Sequence, residues 1–139
     1  MNIKGDFKQK FFDAAQRNDI RFLKAVFWQF AEKIAKDQKL LNKSLETAVM
    51  ANSSDTYAFL ANNGANIDFQ DKKGRTALIF AAVTGNQDLL MDLCARGANP
   101  DAKDKYEMTA QDHAAEMGYG GIANYLATYK EDVYPVLAR

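Results

Sequence analysis

The residues best suited to chemistry are few. Cys94 is the only thiol and His113 the only imidazole in 139 residues, and Asp112 stands beside the histidine. Together they have the composition of a nucleophile, a base and an orienting carboxylate, a set whose members must lie within hydrogen-bond reach. The local pattern argues against it. Cys94 belongs to the stripe Leu89, Leu90, Leu93 and Cys94, whose spacing marks the buried face of a helix. A buried cysteine behaves as a small apolar side chain. His113 follows a capping turn, and apart from Asp112 nothing around it supplies a site, so a structural or surface role is expected. One His and one Cys fall short of the roughly four ligands of a structural zinc site, and no metal is expected. Carboxylates such as Asp13, Asp19, Glu32, Asp37, Glu46, Asp55, Asp88 and Asp92 fall mostly on solvated helix faces. Gly120-Gly121 lacks the Gly-x-x-x-x-Gly-Lys string of a phosphate loop and reads as a break between helices. The chain is expected to be no enzyme and to carry no cofactor.

The bulk composition points the same way. A hydrophobic share of 47% with 26% charged residues is that of a folded, soluble domain. Eighteen basic and eighteen acidic side chains cancel, which leaves no global field for nucleic acid or an anionic membrane. A single cysteine forms no internal disulfide, in keeping with a reducing, cytoplasmic setting. Met1 to Lys10 has no apolar core of a signal peptide, and no stretch approaches the roughly 20 apolar residues of a membrane span. One domain over 1–139 is expected.

The elements that position these side chains repeat. Gly64-Ala65-Asn66 returns as Gly97-Ala98-Asn99 after 33 residues, and the same offset relates Asp71 to Asp104, Thr76-Ala77 to Thr109-Ala110, Ala81-Ala82 to Ala114-Ala115, and Gly85 to Gly118. Leu60, Leu93 and Leu126 share the phase. A period of this length marks a solenoid of stacked supersecondary units. The clearest unit runs from Asp71 to Lys103. Asp71 to Arg75 forms a turn with Gly74 supplying a positive φ. Thr76 caps a helix through Ala77 to Ala82, and Gly85-Asn86 breaks it. A second helix carries the Leu89–Cys94 stripe and ends before Gly97, with Pro100 keeping the chain extended.

Asp71-x-x-Gly74-Arg75-Thr76-Ala77-Leu78, Ala81-Ala82, Gly85, Leu93, Gly97-Ala98-Asn99 and Asp101-Ala102 resemble the ankyrin repeat. Ala77 and Ile79 stand where that family prefers Pro and His, and Ile79 is expected to compensate by packing. The resemblance implies an all-α solenoid of helix-turn-helix units with β-hairpin fingers at about 66–76 and 99–109. Its repeats fall at about 4–37 (a degenerate N-terminal cap), 38–70, 71–103 and 104–129, followed by a tail over 130–139 that could fold over the last cap. Trp28, Phe30 and Ile34 suggest a lengthened second helix in the first unit, with Trp28 expected to anchor its core and, as the alternative, to face a partner. The second unit lacks the turn before Leu40, so the finger there is expected to be shortened or helical.

The resemblance also implies the function. Ankyrin proteins bind other proteins through their fingers and the concave face of the inner helices. Here those positions are Phe69, Lys72, Lys73, Arg75, Lys105, Tyr106 and Met108 on the fingers, then Val83, Thr84, Glu116 and Met117 on the inner helices. Aromatic, methionine and arginine side chains are enriched in interface cores, and the basic fingertips suit an acidic protein surface. The expected role is that of an adaptor, an inhibitor or a masking subunit, monomeric when free, with neither nucleic acid nor membrane as partner. The alternative is a bacterial effector or antitoxin-like protein that neutralises a specific partner. An enzyme and a structural homo-oligomer are the lesser readings.

Overall fold

A computed structural model describes residues 3–138, and among them every regular element is helical. The contacts divide the chain into two compact units, one reaching to Asn66 and the other starting at Ile67.

The first unit contains α1 (Ile3–Gln16), α2 (Ile20–Gln29), α3 (Ala31–Ala35), α4 (Gln38–Met50) and α5 (Ser54–Asn62). Helix α1 packs on α2 and α4, and α4 on α5. Phe11, Leu23, Ile34, Leu41, Ala48 and Leu60 are fully buried, each at a position the 3.6-residue period assigns to an inner face. Asp19 and Asp37 cap α2 and α4 by accepting the backbone N–H groups of Phe22 and Leu40. The lengthened helix expected around Phe30 is instead two helices. Phe30 leaves helical geometry, its ring stacks on Phe7 at 4.7 Å, and its carbonyl accepts the amides of Lys33 and Ile34 to start α3. Phe30 is half-buried at this break. The shortened, helical approach to the second repeat is present as α3 and α4.

The second unit contains α6 (Ala77–Thr84), α7 (Gln87–Ala95), α8 (Ala110–Glu116) and α9 (Gly120–Thr128). A π-helical turn over Tyr129–Val133 and a short α10 (Tyr134–Leu137) continue α9. Helix α6 packs on α7 and α8, and α8 on α9. Thr76 caps α6 through the Ile79 amide. Thr109 and Asp112 cap α8 reciprocally, Thr109 Oγ1 accepting from Asp112 N–H and Asp112 Oδ2 from Thr109 N–H. Gly97, at φ +84°, closes α7 in the left-handed conformation. Ile79 is buried, as its replacement of a polar residue requires. The Tyr129 hydroxyl donates to the Ala98 carbonyl at 2.6 Å, which ties the π-helical turn to the loop after α7. The tail leaves Val133, Val136 and Leu137 exposed.

The two fingers are present as tight hairpin turns, without paired β-strands among the described residues. One backbone hydrogen bond joins the ends of each turn, from Asp71 N–H to Arg75 O and from Asp104 N–H to Met108 O, and the return N–H of Arg75 or Met108 donates to the aspartate carboxylate instead.

Candidate partner-binding surface

Each finger is built around one aspartate. Asp71 Oδ1 accepts the backbone N–H groups of Lys73 and Arg75, both at 2.9 Å, and Oδ2 receives the Arg75 guanidinium through Nε and Nη2, also at 2.9 Å. The Asp71 amide donates to Arg75 O and Gly74 N–H donates to Asp71 O, with Gly74 at φ +74°. Thirty-three residues on, Asp104 Oδ1 accepts the amides of Tyr106 and Met108 at 2.9 and 3.1 Å. His113 Nε2 lies 2.6 Å from Asp104 Oδ2, reaching from α8 to the place the arginine takes in the first finger. Glu107 occupies the glycine position of the second turn, at φ +61°.

Burial pushes both carboxyls up, but the hydrogen bonds outweigh it. Asp71 is held below the ordinary carboxylate range by the Arg75 and Lys73 donors, and Asp104 by His113 and the amides of Met108 and Tyr106. Backbone contacts join the fingers. Lys105 N–H donates to Lys73 O at 3.0 Å, and the Gln70 side-chain amide bridges Gly74 O and Lys103 O at 2.9 and 3.0 Å. Asp68 Oδ1 accepts the Asn99 amide at 2.8 Å.

This scaffold displays Lys72, Lys73, Lys105 and Tyr106 to solvent. Tyr106 is 68% exposed, and the Lys105 ammonium sits 5.0 Å from its ring centroid. On the helices, Thr84 is exposed with its hydroxyl donated to the Phe80 carbonyl, while Glu116 and Met117 are exposed at the end of α8. Phe69, Val83 and Met108 are half-buried. Met108 therefore offers less contact area than its place in the finger predicts, because its backbone is folded under by Asp104. Arg75 differs more. Its guanidinium is committed to Asp71, so it builds the finger. Trp28, expected to anchor the N-terminal core, is 65% exposed. Phe27 takes the buried position instead, and the indole rests edge-on against Phe27 and Phe59.

The catalytic constellation suggested by composition is not assembled. His113 engages Asp104 and Asp112 caps α8. Cys94 is buried beside a cavity of about 120 Å³ lined by Tyr125, Thr128, Tyr129 and Val133, and burial pushes its thiol up to about 12. Such a thiol is protonated at neutral pH and a poor nucleophile. No group of three His, Cys, Asp or Glu side chains suited to a metal ion occurs among the described residues. None of the described helices is long and apolar enough to cross a membrane.

Local pattern missed the aspartate clamp. The echo of Asp71 in Asp104 was visible, but the replacement of the adjacent arginine by a histidine nine residues away was not. That histidine is brought back by α8.

Capped helix pairs joined by aspartate-clamped turns define a helical repeat protein, a class that recognises through an extended surface. The chain belongs to the ankyrin repeat family, whose three-copy profile matches residues 11–104 and 45–135. No curated protein matches the chain. Ankyrin repeats are generally protein–protein interaction modules.

Proposed function

We propose that the protein binds a partner protein through the finger surface of its second unit and acts as an adaptor, inhibitor or masking subunit in the cytoplasm. The observation that carries this is the pair of clamped fingers. Two turns of the same design, hydrogen-bonded to each other, hold Lys72, Lys73, Lys105 and Tyr106 outward on fixed backbone. Preorganised contacts bind with less loss of conformational freedom than flexible ones. Phe69, Val83, Thr84, Met108, Glu116 and Met117 extend the surface, and Tyr106 supplies the aromatic anchor that interfaces favour. Clustered lysines select an acidic partner and speed its approach.

The test is capture of a partner by the immobilised protein and by a variant reversed at Lys72, Lys73 and Lys105 to Glu. Arg75 is left intact because it holds the finger. The variant should keep its helical circular dichroism and lose most of the captured partner. Equal recovery of the same partner by both proteins would place the binding surface elsewhere.

A further inference from the structure

A groove between α1 and α4 lies outside the finger surface. Its volume is about 380 Å³, at the small end of the range for ligand-binding clefts. Phe12 and Leu40, both half-buried, form an apolar floor, and Lys8, Asp37, Lys39 and Lys43 line the rim. The acid on that rim is already matched. Asp37 Oδ1 accepts the Leu40 amide at 3.0 Å and Oδ2 pairs with the Lys8 ammonium at 2.7 Å. Lys8, with the Leu40 amide, holds its carboxyl below the usual range.

Three lysines thus face one carboxylate: Lys39 also acts on Asp37 through space, but neither Lys39 nor Lys43 closes an ion pair among the described residues. They stand four residues apart on α4, where side chains lie roughly 5–6 Å apart and like charges weaken a helix slightly. An apolar floor beside two cations outside any ion pair, on a rim with three lysines and one carboxylate, is complementary to an apolar side chain flanked by two anions. A second helix with acids at i and i+4 presents its carboxylates at the same spacing.

We infer that this groove docks an acidic amphipathic helix of a partner protein, with an apolar side chain on Phe12 and Leu40 and carboxylates on Lys39 and Lys43. The apolar contact provides most of the affinity, and the charges set partner choice, since exposed ion pairs contribute little individually. A flat anionic membrane reaches the lysines but not the recessed floor. The proposal is independent of the finger surface, so the variant reversed at Lys72, Lys73 and Lys105 should bind this helix normally.

The probe is an alanine-based helical peptide of about 18 residues, long enough to hold helix, with Glu at i and i+4 and Leu between them. Its counterpart carries Lys in place of Glu. Titration into isotopically labelled protein should move amide resonances around Phe12 and Leu40 with the Glu peptide and not with the Lys peptide. K39E/K43E should weaken the Glu peptide by about tenfold or more and confer binding of the Lys peptide. K39Q/K43Q weakens the first without gaining the second, and serves if the double reversal unfolds. The proposal fails if both peptides bind alike, if shifts map elsewhere, or if none appear at about 1 mM peptide. It also fails if phosphatidylserine–phosphatidylcholine vesicles, and not the peptide, engage the two lysines.

Discussion

Replacing Gly74 by Ala tests how the two fingers are held together. Gly74 has φ +74°, so any side chain meets the left-handed penalty of about 1–2 kcal/mol. Its surroundings add a second effect. A Cβ there would lie 3.0 Å from Asp104 Cα and from Lys105 N, and 3.1 Å from Asp104 C, all backbone atoms of the next finger. Backbone cannot rotate away as a side chain can, so the fingers must part. Parting them loosens the Lys105–Lys73 hydrogen bond and the Gln70 bridge, each contributing about 1 kcal/mol net. The expected loss for G74A is about 2–4 kcal/mol. Gly97 and Gly118 supply controls. Both have positive φ, and neither has a heavy atom within 4 Å of the added Cβ, so G97A and G118A should lose only about 1–2 kcal/mol. Urea unfolding of the three variants, compared at equal m-value, reads the difference. If G74A is no less stable than G97A and G118A, the close approach of the fingers does not exist as described.

The same logic reverses at Glu107, an exposed residue at φ +61° in the matching turn; E107G should raise stability by about 0.5–1 kcal/mol in urea unfolding. Asp71 and Asp104 have carboxyls lowered from the ordinary 3.8 in the folded protein. Their stabilisation is complete above that value and declines as pH falls through the lower folded values. Stability measured from pH 5 to pH 2 should therefore fall, and D104N should fall less steeply over that window; an unchanged slope would mean that Asp104 is not clamped. Ser44 is fully buried on α4 and its hydroxyl has no hydrogen-bond partner among the described residues. S44A removes that unsatisfied group and should be neutral or stabilising by about 1 kcal/mol, whereas a loss of similar size would reveal a partner for the hydroxyl.

The repeat architecture was legible in the residues because its signals are local. Thr76 caps the helix it precedes, Gly97 adopts the left-handed turn its position demands, and Leu89, Leu90 and Leu93 are buried where the helical period puts them. Where geometry depends on which side chains meet, the pattern misled. Trp28 and Phe27 are adjacent and both aromatic, and only the packing of α2 decides that Phe27 goes inward and Trp28 outward. Phe30 lies in an apolar stretch that reads as continuous helix, yet its backbone leaves helical geometry where its ring stacks on Phe7. Arg75 reads as a fingertip contact because its charge is visible and its bidentate commitment to Asp71 is not.

Cys94 and His113, the two residues that seemed most able to do chemistry, show the division clearly. The sequence by itself determined that Cys94 would lie on a buried face, because three- and four-residue spacing suffices to place it there. It also determined the Thr76-capped helix pair of the clearest repeat and the 33-residue recurrence of the turns, all properties of short segments. Only the tertiary structure decided that His113 would clamp the second finger through Asp104, and that Lys39 and Lys43 would be left beside an apolar groove. Those outcomes depend on which side chains meet across different helices, and neither periodicity nor propensity carries that information.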